Sequence, residues 1–160
     1  MRSASAEGES EIWRVLARVS DPELPILSIV ELGIVRYVHW RDTEPPHVGI
    51  TPTYSGCPAT DVIRAAVRAS LACAGYGDAI IEEVLAPPWT SDWLTAEGRR
   101  KLADSGIAPP VRSAQAHGGV ACPRCASRAT QLVSEFGSTP CKAHYRCTAC
   151  LEPFEHFKCL

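Results

Sequence analysis

Cysteines are the residues of this sequence whose type and spacing point most directly to chemistry. Eight cysteines occur among 160 residues, and most of them lie near the C-terminus. Two Cys-x-x-Cys pairs stand there, Cys122 with Cys125 and Cys147 with Cys150, separated by residues 126–146. Each pair places two thiolates on one side of a tight turn, and two such turns close a tetrahedron around a metal ion, with sulfur at about 2.3 Å. The sequence therefore predicts a four-thiolate metal site.

The predicted metal is Zn2+ in a structural role. A closed four-thiolate site leaves no coordination position open to a substrate. A segment of about 40 residues buries too little apolar surface to fold alone, so the metal would stabilise it. Four thiolates equally suit an iron-sulfur centre, so zinc and iron both stay open. Cys141 and Cys159 are unassigned, because each could be a substitute ligand or a small, partly buried thiol.

A further cysteine, Cys57, lies where a predicted strand passes into a predicted helix. Pro58 suits the first position of that helix, which leaves Cys57 at or beside the N-cap. There the helix dipole and unpaired backbone N–H groups stabilise a thiolate, so Cys57 is a candidate nucleophile or ligand. The alternative is a cysteine packed in a tight turn. Cys73, next to alanines on the same helix, is predicted to be core.

Two carboxylates, Asp21 and Glu23, stand in the run Asp-Pro-Glu-Leu-Pro at residues 21–25. Turn chemistry accounts for this run, with Asp21 capping the turn and Pro22 fixing φ. The alternative is that both carboxylates line a site near Cys57. The residues alone favour the turn, and only a family resemblance favours the site.

The rest of the sequence excludes several classes of protein. It contains no Ser-His-Asp arrangement, phosphate loop, dinucleotide fingerprint or His-Glu-x-x-His helix, so catalysis by this chain alone is not expected. A formal net charge of −2 lacks the basic excess of a nucleic-acid binder. No apolar run approaches the roughly 18 residues of a membrane helix, and the N-terminus lacks the features of a signal peptide. We expect a cytoplasmic protein whose thiols stay reduced.

An alternating series of predicted elements must position these residues. Apolar periodicity predicts the helices, and β-branched and aromatic runs predict the strands. In chain order we predict a helix at 11–19, strands at 34–40 and 48–53 joined by a hairpin loop at 41–47, a helix at 59–74, a strand at 79–85 and a helix at 90–103 that starts at a Thr or Ser cap. A capping box at Ser28–Glu31 predicts one further helical turn, which Gly33 ends. The order α-β-β-α-β-α indicates an α+β fold with a small mixed sheet.

Composition divides the chain into two domains. Residues 1–10 are small, polar and acidic, and are predicted to be disordered. Residues 11–104 form the α+β domain. Residues 105–119 contain two prolines and three glycines, which is typical of a linker. Residues 120–160, which contain the four-thiolate metal site, are predicted to form a small zinc-ribbon domain.

Several motifs resemble the MIP18 (DUF59) family of iron-sulfur assembly proteins. They are DPELP at 21–25, SIVELGIV at 28–35 and TPTYSGCPAT at 51–60. Two further segments resemble a narrower group of proteins within this family. They are PPWT at 87–90 and the tail that runs from SEFGSTPCKA at 134–143 to Leu160. With these, the chain resembles the PaaD family of phenylacetyl-CoA 1,2-epoxidase systems in bacterial phenylacetate degradation. One departure is Ala126, where a zinc knuckle commonly has glycine.

This resemblance implies a role in a multicomponent oxygenase. In such systems a di-iron oxygenase epoxidises the ring of phenylacetyl-CoA, and a reductase with a flavin and a 2Fe–2S cluster supplies electrons. The PaaD-type protein would not do this chemistry but would assemble or repair a metal centre, above all the cluster of the reductase. The family's reactive cysteine corresponds to Cys57, and its acidic motif to Asp21 and Glu23.

The resemblance also implies cofactors and partners. The ribbon would hold structural Zn2+, and Cys57 would bind iron or an iron-sulfur cluster transiently. The partners would be the epoxidase and reductase subunits, and a homodimer could supply a second Cys57. The alternative function is a stable structural or regulatory zinc-binding subunit with no cluster of its own.

Overall fold

Helices and strands alternate along the first part of the chain and give way to strands at its end. The computed structural model describes residues 4–41, 43–111 and 119–160. Its elements are α1 (Ala4–Leu16), β1 (Val35–Arg41), β2 (Glu44–Ile50), α2 (Ala59–Cys73), β3 (Ile80–Glu83), a 3-10 helix (Ser91–Trp93), α3 (Ala96–Asp104), β4 (Ile107–Ala108), β5 (Thr130–Ser134), β6 (Lys142–Cys147) and β7 (Pro153–Phe157). The predicted order and the α+β class are confirmed. Among the described helices, none combines the length and apolar character needed to cross a membrane.

The chain separates into two compact units, Met1–Trp89 and Thr90–Leu160. The division falls before α3, earlier in the chain than the linker predicted over 105–119. Part of that segment is ordered, because β4 pairs in parallel with β7 and Ala108 is buried. The remainder of the predicted linker includes residues 112–118, which lie outside the described residues.

A mixed three-stranded sheet forms one layer of the first unit. β1 pairs antiparallel with β2, and β3 pairs in parallel with the other side of β2. The three predicted strands are confirmed, although β2 both begins and ends earlier than the predicted 48–53. The loop predicted over 41–47 is wrong, because β2 starts at Glu44 and includes two prolines. Prolines are tolerated there because the β1 register is irregular at this point and β3 begins only opposite His47.

Helix α1 begins at Ala4, so the expectation of disorder before residue 11 is corrected. Residues 1–3 lie outside the described residues. Contacts with β1 explain the early start. The ring of Trp40 occupies the space where Gly8 has no side chain, and a Cβ there would lie 1.7 Å from it. The backbone N–H of Trp40 donates to Glu9 Oε1 at 2.9 Å.

Helix α2 confirms the helix predicted over 59–74. Its buried stripe includes Ile63, Val67 and Leu71, which are spaced four residues apart on one face. Cys73 is exposed, so its assignment to the core is wrong. Two residues beyond Leu71 the helix has turned by about 200°, which carries the side chain away from the buried stripe.

The turn between α1 and β1 contains the predicted capping box. Glu31 N donates to Ser28 Oγ at 3.1 Å, and Ser28 N donates to Glu31 Oε2 at 2.8 Å. Gly33 then ends the turn with a φ of 70°, a conformation that glycine adopts without strain. The indole N–H of Trp89 donates to the carbonyl of Leu32 at 2.9 Å, which ties the end of the first unit to this turn.

In the second unit, a 3-10 helix and α3 replace the single helix predicted over 90–103. The cap predicted at the start of the segment is Thr90, whose Oγ1 accepts from Asp92 N at 3.4 Å. A second cap, which was not predicted, begins α3, where Thr95 Oγ1 accepts from Gly98 N at 3.0 Å. The sheet that follows has the order β4-β7-β6-β5, with β4 parallel to β7 and the other pairs antiparallel. β5 is therefore an edge strand.

Candidate functional site

Four thiols converge in the second unit. The first Cys-x-x-Cys pair precedes β5, and the second pair begins at the end of β6. Because Thr130 at the start of β5 is registered with Cys147, the two pairs lie side by side. The Sγ atoms all lie within 4.8 Å of one another; they belong to Cys122, Cys125, Cys147 and Cys150. The structure thus brings together the four residues that the sequence predicted as ligands.

The spacing of these sulfur atoms fits a tetrahedral metal ion. Cys122 Sγ lies 3.7 Å from Cys150 Sγ, and Cys125 Sγ lies 3.6 Å from Cys147 Sγ. Sulfur atoms bound at about 2.3 Å to a tetrahedral ion are about 3.8 Å apart. Thiolates are also the donors that zinc and iron-sulfur centres prefer. The four cysteines form a metal-binding cluster.

Backbone hydrogen bonds fold each cysteine pair into a knuckle. In the first knuckle, Ala126 N donates to the carbonyl of the first cysteine at 2.8 Å. In the second, Cys150 N donates to Cys147 Sγ at 3.5 Å. An ion pair between Arg124 and Glu152 joins the two knuckles on their exposed side. Exposed pairs of this kind contribute little to stability, so the backbone hydrogen bonds hold each knuckle in shape.

Both knuckles turn through a left-handed residue directly after their second cysteine. Ala126 has a φ of 60° and Leu151 a φ of 65°. Alanine at the first position therefore adopts the conformation for which glycine is usual, and the knuckle still forms. This conformation costs an L-residue about 1–2 kcal/mol.

Ala126→Gly is expected to stabilise the metal-bound ribbon by about 1 kcal/mol, because glycine removes the strain but loses more backbone entropy on folding. Ala126 is exposed, so no packing is lost. Competition with a chromophoric chelator should show roughly fivefold tighter zinc binding. Ala129→Gly is the matched control, since Ala129 is also exposed but has no positive φ. An equal gain in both variants would contradict the interpretation.

Two of these thiols, Cys147 and Cys150, have pKa values shifted in opposite directions. The backbone N–H of Cys150, followed by that of Ala149, lowers the pKa of Cys147 to about 7. The pKa of Cys150 is raised to about 12: the backbone N–H of Glu152 lowers it, but burial and hydrogen bonds with the other three thiols outweigh that effect. Metal binding requires thiolates, so it releases the protons of these thiols.

Cys141 and Cys159 lie outside this cluster. Cys141 is buried, and its Sγ lies 3.0 Å from Thr139 Oγ1. Cys159 is exposed, and its thiol donates to the carbonyl of Val111 at 3.3 Å. Within the described residues, the four-thiol group is complete without either of them.

Cys57 lies directly before Pro58, the N-cap residue of α2, where the sequence predicted it. Its backbone N–H donates to the carbonyl of Tyr54 at 3.2 Å, and its own carbonyl accepts from Thr60 N at 3.2 Å. A tight turn thus leads straight into the helix. The thiol is half-buried and makes no hydrogen bond to any described residue. Its reactivity stays a prediction.

The residues that lead into Cys57 line an open cleft of about 270 Å3. Its walls include Thr51, Tyr54, Leu85 and Trp89. Leu85 is strongly exposed for an apolar residue. Sequence analysis missed this cleft, because residues 85–89 reach it only through tertiary folding. The one local signal was the concentration of hydroxyl side chains in residues 51–60.

Asp21 caps its own turn, as the turn interpretation predicted. Its Oδ1 accepts from the backbone N–H groups of Glu23 and Leu24, both at 2.8 Å. Burial raises the pKa of Asp21 above its ordinary value of 3.8, although the same two N–H groups act to lower it. In the described part of the chain, the side-chain hydrogen bonds of Asp21 stay inside this turn and do not reach Cys57. A shared site of Asp21, Glu23 and Cys57 stays a prediction.

Asp21→Asn is expected to remove the contribution of one buried carboxyl to the pH dependence of the free energy of unfolding. A carboxyl whose pKa is raised by folding contributes stability below its unfolded pKa, and this contribution is lost as pH rises through the folded pKa. The stability of the wild type relative to Asp21→Asn should therefore fall as pH rises from about 4. The amide oxygen of asparagine can still accept both N–H bonds. Urea denaturation across this pH range measures the difference.

Asp61→Asn is the matched control, because Asp61 is an exposed aspartate in the first turn of α2. Its difference from the wild type should show no such fall. A pH-independent difference between Asp21→Asn and the wild type would contradict the assigned burial effect.

Comparisons with known proteins match each unit separately. A family model described as a PaaD zinc beta ribbon domain matches residues 107–158. A model described as an iron-sulfur cluster assembly protein matches residues 9–82. A crystal structure of a DUF59 domain from Bacillus anthracis superposes with a TM-score of 0.58 at 26% identity, covering 62% of this chain and 94% of that one.

Two curated proteins are similar in sequence. One, from Escherichia coli, is provisionally named as a subunit of 1,2-phenylacetyl-CoA epoxidase. It is 48% identical over 153 residues, which is 94% of this chain and 92% of that protein. The other is an Fe-S protein maturation auxiliary factor from Porphyromonas gingivalis, 29% identical over 103 residues, which is 64% of this chain and 97% of that protein. The similarity to the first extends over both units.

Proposed function

The chain belongs to the PaaD family of 1,2-phenylacetyl-CoA epoxidase proteins, and we propose that it is an accessory protein that assembles or repairs a metal centre of that epoxidase system. The observation that carries the proposal is the presence of two modules in one chain. A segment over 9–82 that matches the model of an iron-sulfur cluster assembly protein precedes a segment over 107–158 that matches the PaaD zinc ribbon. The similarity of the first unit to a maturation auxiliary factor supports a role in making a centre rather than in using one.

Cys57 is the proposed ligand for the cargo, which is iron or an iron-sulfur cluster. It stands directly before Pro58, the N-cap residue of α2, at the positively polarised end of that helix. The absence of a hydrogen bond from its thiol to the described residues leaves the sulfur available. One protein thiolate per chain binds weakly, which suits a cargo that must be passed on. Two copies of the chain would supply two such thiolates.

Delivery is proposed to occur by ligand exchange. A thiolate of the recipient forms a new bond to iron as the bond between iron and Cys57 Sγ breaks, and the released thiolate takes up a proton. No electron is transferred in this step. The proposed recipient is the cluster-binding site of the reductase that supplies the oxygenase. These steps require the reducing conditions of the cytoplasm, where we place the protein.

The ribbon is proposed to hold Zn2+ and to dock the recipient protein. Cys122, Cys125, Cys147 and Cys150 would hold the ion, and four thiolates close its coordination, so its contribution is to the fold. Support for docking comes from β5, an edge strand on which Val133 is 66% exposed. Edge strands with exposed apolar side chains are ready to pair with another chain.

Metal and acid-labile sulfide analysis of the chain after anaerobic purification tests the proposal. For the wild type we expect one zinc ion per chain together with iron and sulfide. Cys57→Ala should lose the iron and sulfide but keep the zinc. Cys73→Ala is the matched control, because Cys73 is the other cysteine of the first unit and is exposed. It should keep all three.

A stable zinc-binding subunit without a cluster is the second candidate, favoured by the word subunit in the name of the Escherichia coli relative. It predicts zinc alone in the wild type and in both variants. It also predicts co-purification with the epoxidase in fixed stoichiometry. Zinc alone in the wild type would therefore contradict the proposed maturation role and favour this candidate.

A further inference from the structure

The outer face of the first unit's sheet carries a cluster of side chains that the proposed function does not use. His39 on β1 lies directly opposite His47 on β2 in the antiparallel register. Glu82 on β3 is registered with Gly49, two residues after His47. Side chains two residues apart on a strand share a face. His39, His47 and Glu82 therefore project from one side of the sheet, each on a different strand.

Tyr37 connects the members of this cluster. Its hydroxyl donates to Glu82 Oε2 at 2.6 Å, and its ring stacks on His39 with centroids 4.8 Å apart and an interplanar angle of 14°. The same Glu82 oxygen lies 3.4 Å from His47 Nδ1. Gly49 makes this possible, because a Cβ there would lie 2.3 Å from Tyr37 Cε1. The ring of Tyr37 thus reaches across β2 to the carboxylate on β3.

These contacts leave several nitrogen and oxygen atoms of the cluster without a hydrogen bond to any described residue. Among the described residues, Glu82 is hydrogen-bonded only through Oε2, so Oε1 is free. Neither ring nitrogen of His39 is hydrogen-bonded within that part of the chain, nor is Nε2 of His47. The side chains of His47 and Glu82 are 39% and 45% exposed, so an ion can enter from solvent. The hydrogen bond from Tyr37, followed by that from His47, lowers the pKa of Glu82, which keeps its carboxylate ionised.

We propose that His39, His47 and Glu82 form a second metal site, for a divalent first-row transition metal ion. Two imidazoles and one carboxylate are a donor set that such ions accept, Fe2+ among them. Three protein ligands leave coordination positions open, whereas the four-thiolate cluster is closed. Tyr37 orients the carboxylate through its other oxygen, as hydrogen-bonded neighbours of metal ligands commonly do. For all three side chains to bind one ion, the His39 ring must turn away from that of Tyr37, because the three donor groups do not lie together as the described residues are placed.

Calorimetric titration of the tag-free, zinc-loaded full chain with Ni2+ under anaerobic conditions tests this site. Ni2+ is the probe because it binds such donors more tightly than Fe2+. We expect one Ni2+ per wild-type chain. His39→Gln, His47→Gln and Glu82→Gln should each weaken binding by at least about tenfold. His144→Gln, which removes an exposed histidine of the ribbon, is the matched control and should bind as the wild type does.

Three results would overturn the proposal. The first is a wild type that binds no Ni2+, and the second is an equal loss of binding in His144→Gln. The third is the appearance of absorption bands of thiolate-bound Ni2+, which would place the ion on cysteine. Thermal unfolding of each variant is expected to match the wild type, because the substituted side chains lie at the surface. The site does not rest on the proposed function, because none of its three ligands takes part in the proposed binding of the cargo.

Discussion

Cys147→Ala is expected to leave the second unit without its metal ion and to unfold β5, β6 and β7. Cys147 is fully buried in a small core with Ala108, Cys122 and Phe154. In metal-dependent folds of this size, the binding free energy of a structural zinc ion, about 10–16 kcal/mol, is also the free energy of folding. Removal of one of four thiolates forfeits much of it and also leaves a cavity in the core.

Zinc content and two-dimensional NMR spectra of the full chain measure this effect. Zinc should fall from one ion per chain to nearly none, and the amide signals of the three strands should collapse to the chemical shifts of an unfolded chain. Cys159→Ala is the matched control, because Cys159 is exposed and lies outside the four-thiol group. It should keep zinc and a folded spectrum. A zinc-loaded, folded Cys147→Ala chain would mean that other residues hold the ion.

Cys57→Ala is expected to reduce the epoxidase activity of a co-expressed complex by about tenfold or more. Loss of a residue that only supports a metal ligand already costs about tenfold, and loss of the ligand itself should cost at least as much. The change removes only a half-buried sulfur that is not hydrogen-bonded to described residues. The fold should therefore persist while the proposed cargo ligand is lost. Activity should fall in proportion to the iron and sulfide content of the reductase, which would be under-loaded.

Cys73→Ala controls for the general loss of a thiol in the first unit, since Cys73 is exposed near the end of α2. That variant should support full activity. Circular dichroism of the isolated Cys57→Ala chain should match the wild type, which separates a missing ligand from misfolding. Unchanged activity and unchanged cluster content with Cys57→Ala would remove Cys57 from the mechanism.

Short-range sequence patterns predicted the elements that depend on residues close together in the chain. The buried stripe of α2, the capping box at Ser28 and Glu31, and the two Cys-x-x-Cys knuckles each depend on residues within one or two turns of chain. Their positions could therefore be predicted from the sequence. The fold class followed from the order of these elements and was confirmed.

Features decided by distant residues could not be predicted in the same way. The start of α1 depends on contacts of Gly8 and Glu9 with Trp40. No local pattern in an acidic, polar segment reports such contacts. The exposure of Cys73 follows from the exact rotation of α2 at its last turn, where the buried stripe ends.

Strand register explains why the histidine cluster was missed. A loop over 41–47 would have left His47 outside the sheet. In the structure β2 begins at Glu44, and His47 falls opposite His39. The third member, Glu82, joins them only because β3 pairs in parallel with β2 after a helical connection. Sequence separation gave no reason to associate these three residues.

In the proposed function this chain matures a metal centre and takes no part in turnover. The decisive measurement is the activity of an epoxidase complex whose metal centres are fully loaded and which is assembled without this chain. We predict full activity for the loaded complex, and a loss of activity only when the chain is absent while the centres are being made. A loaded complex that stays inactive until this chain is added would contradict the claim.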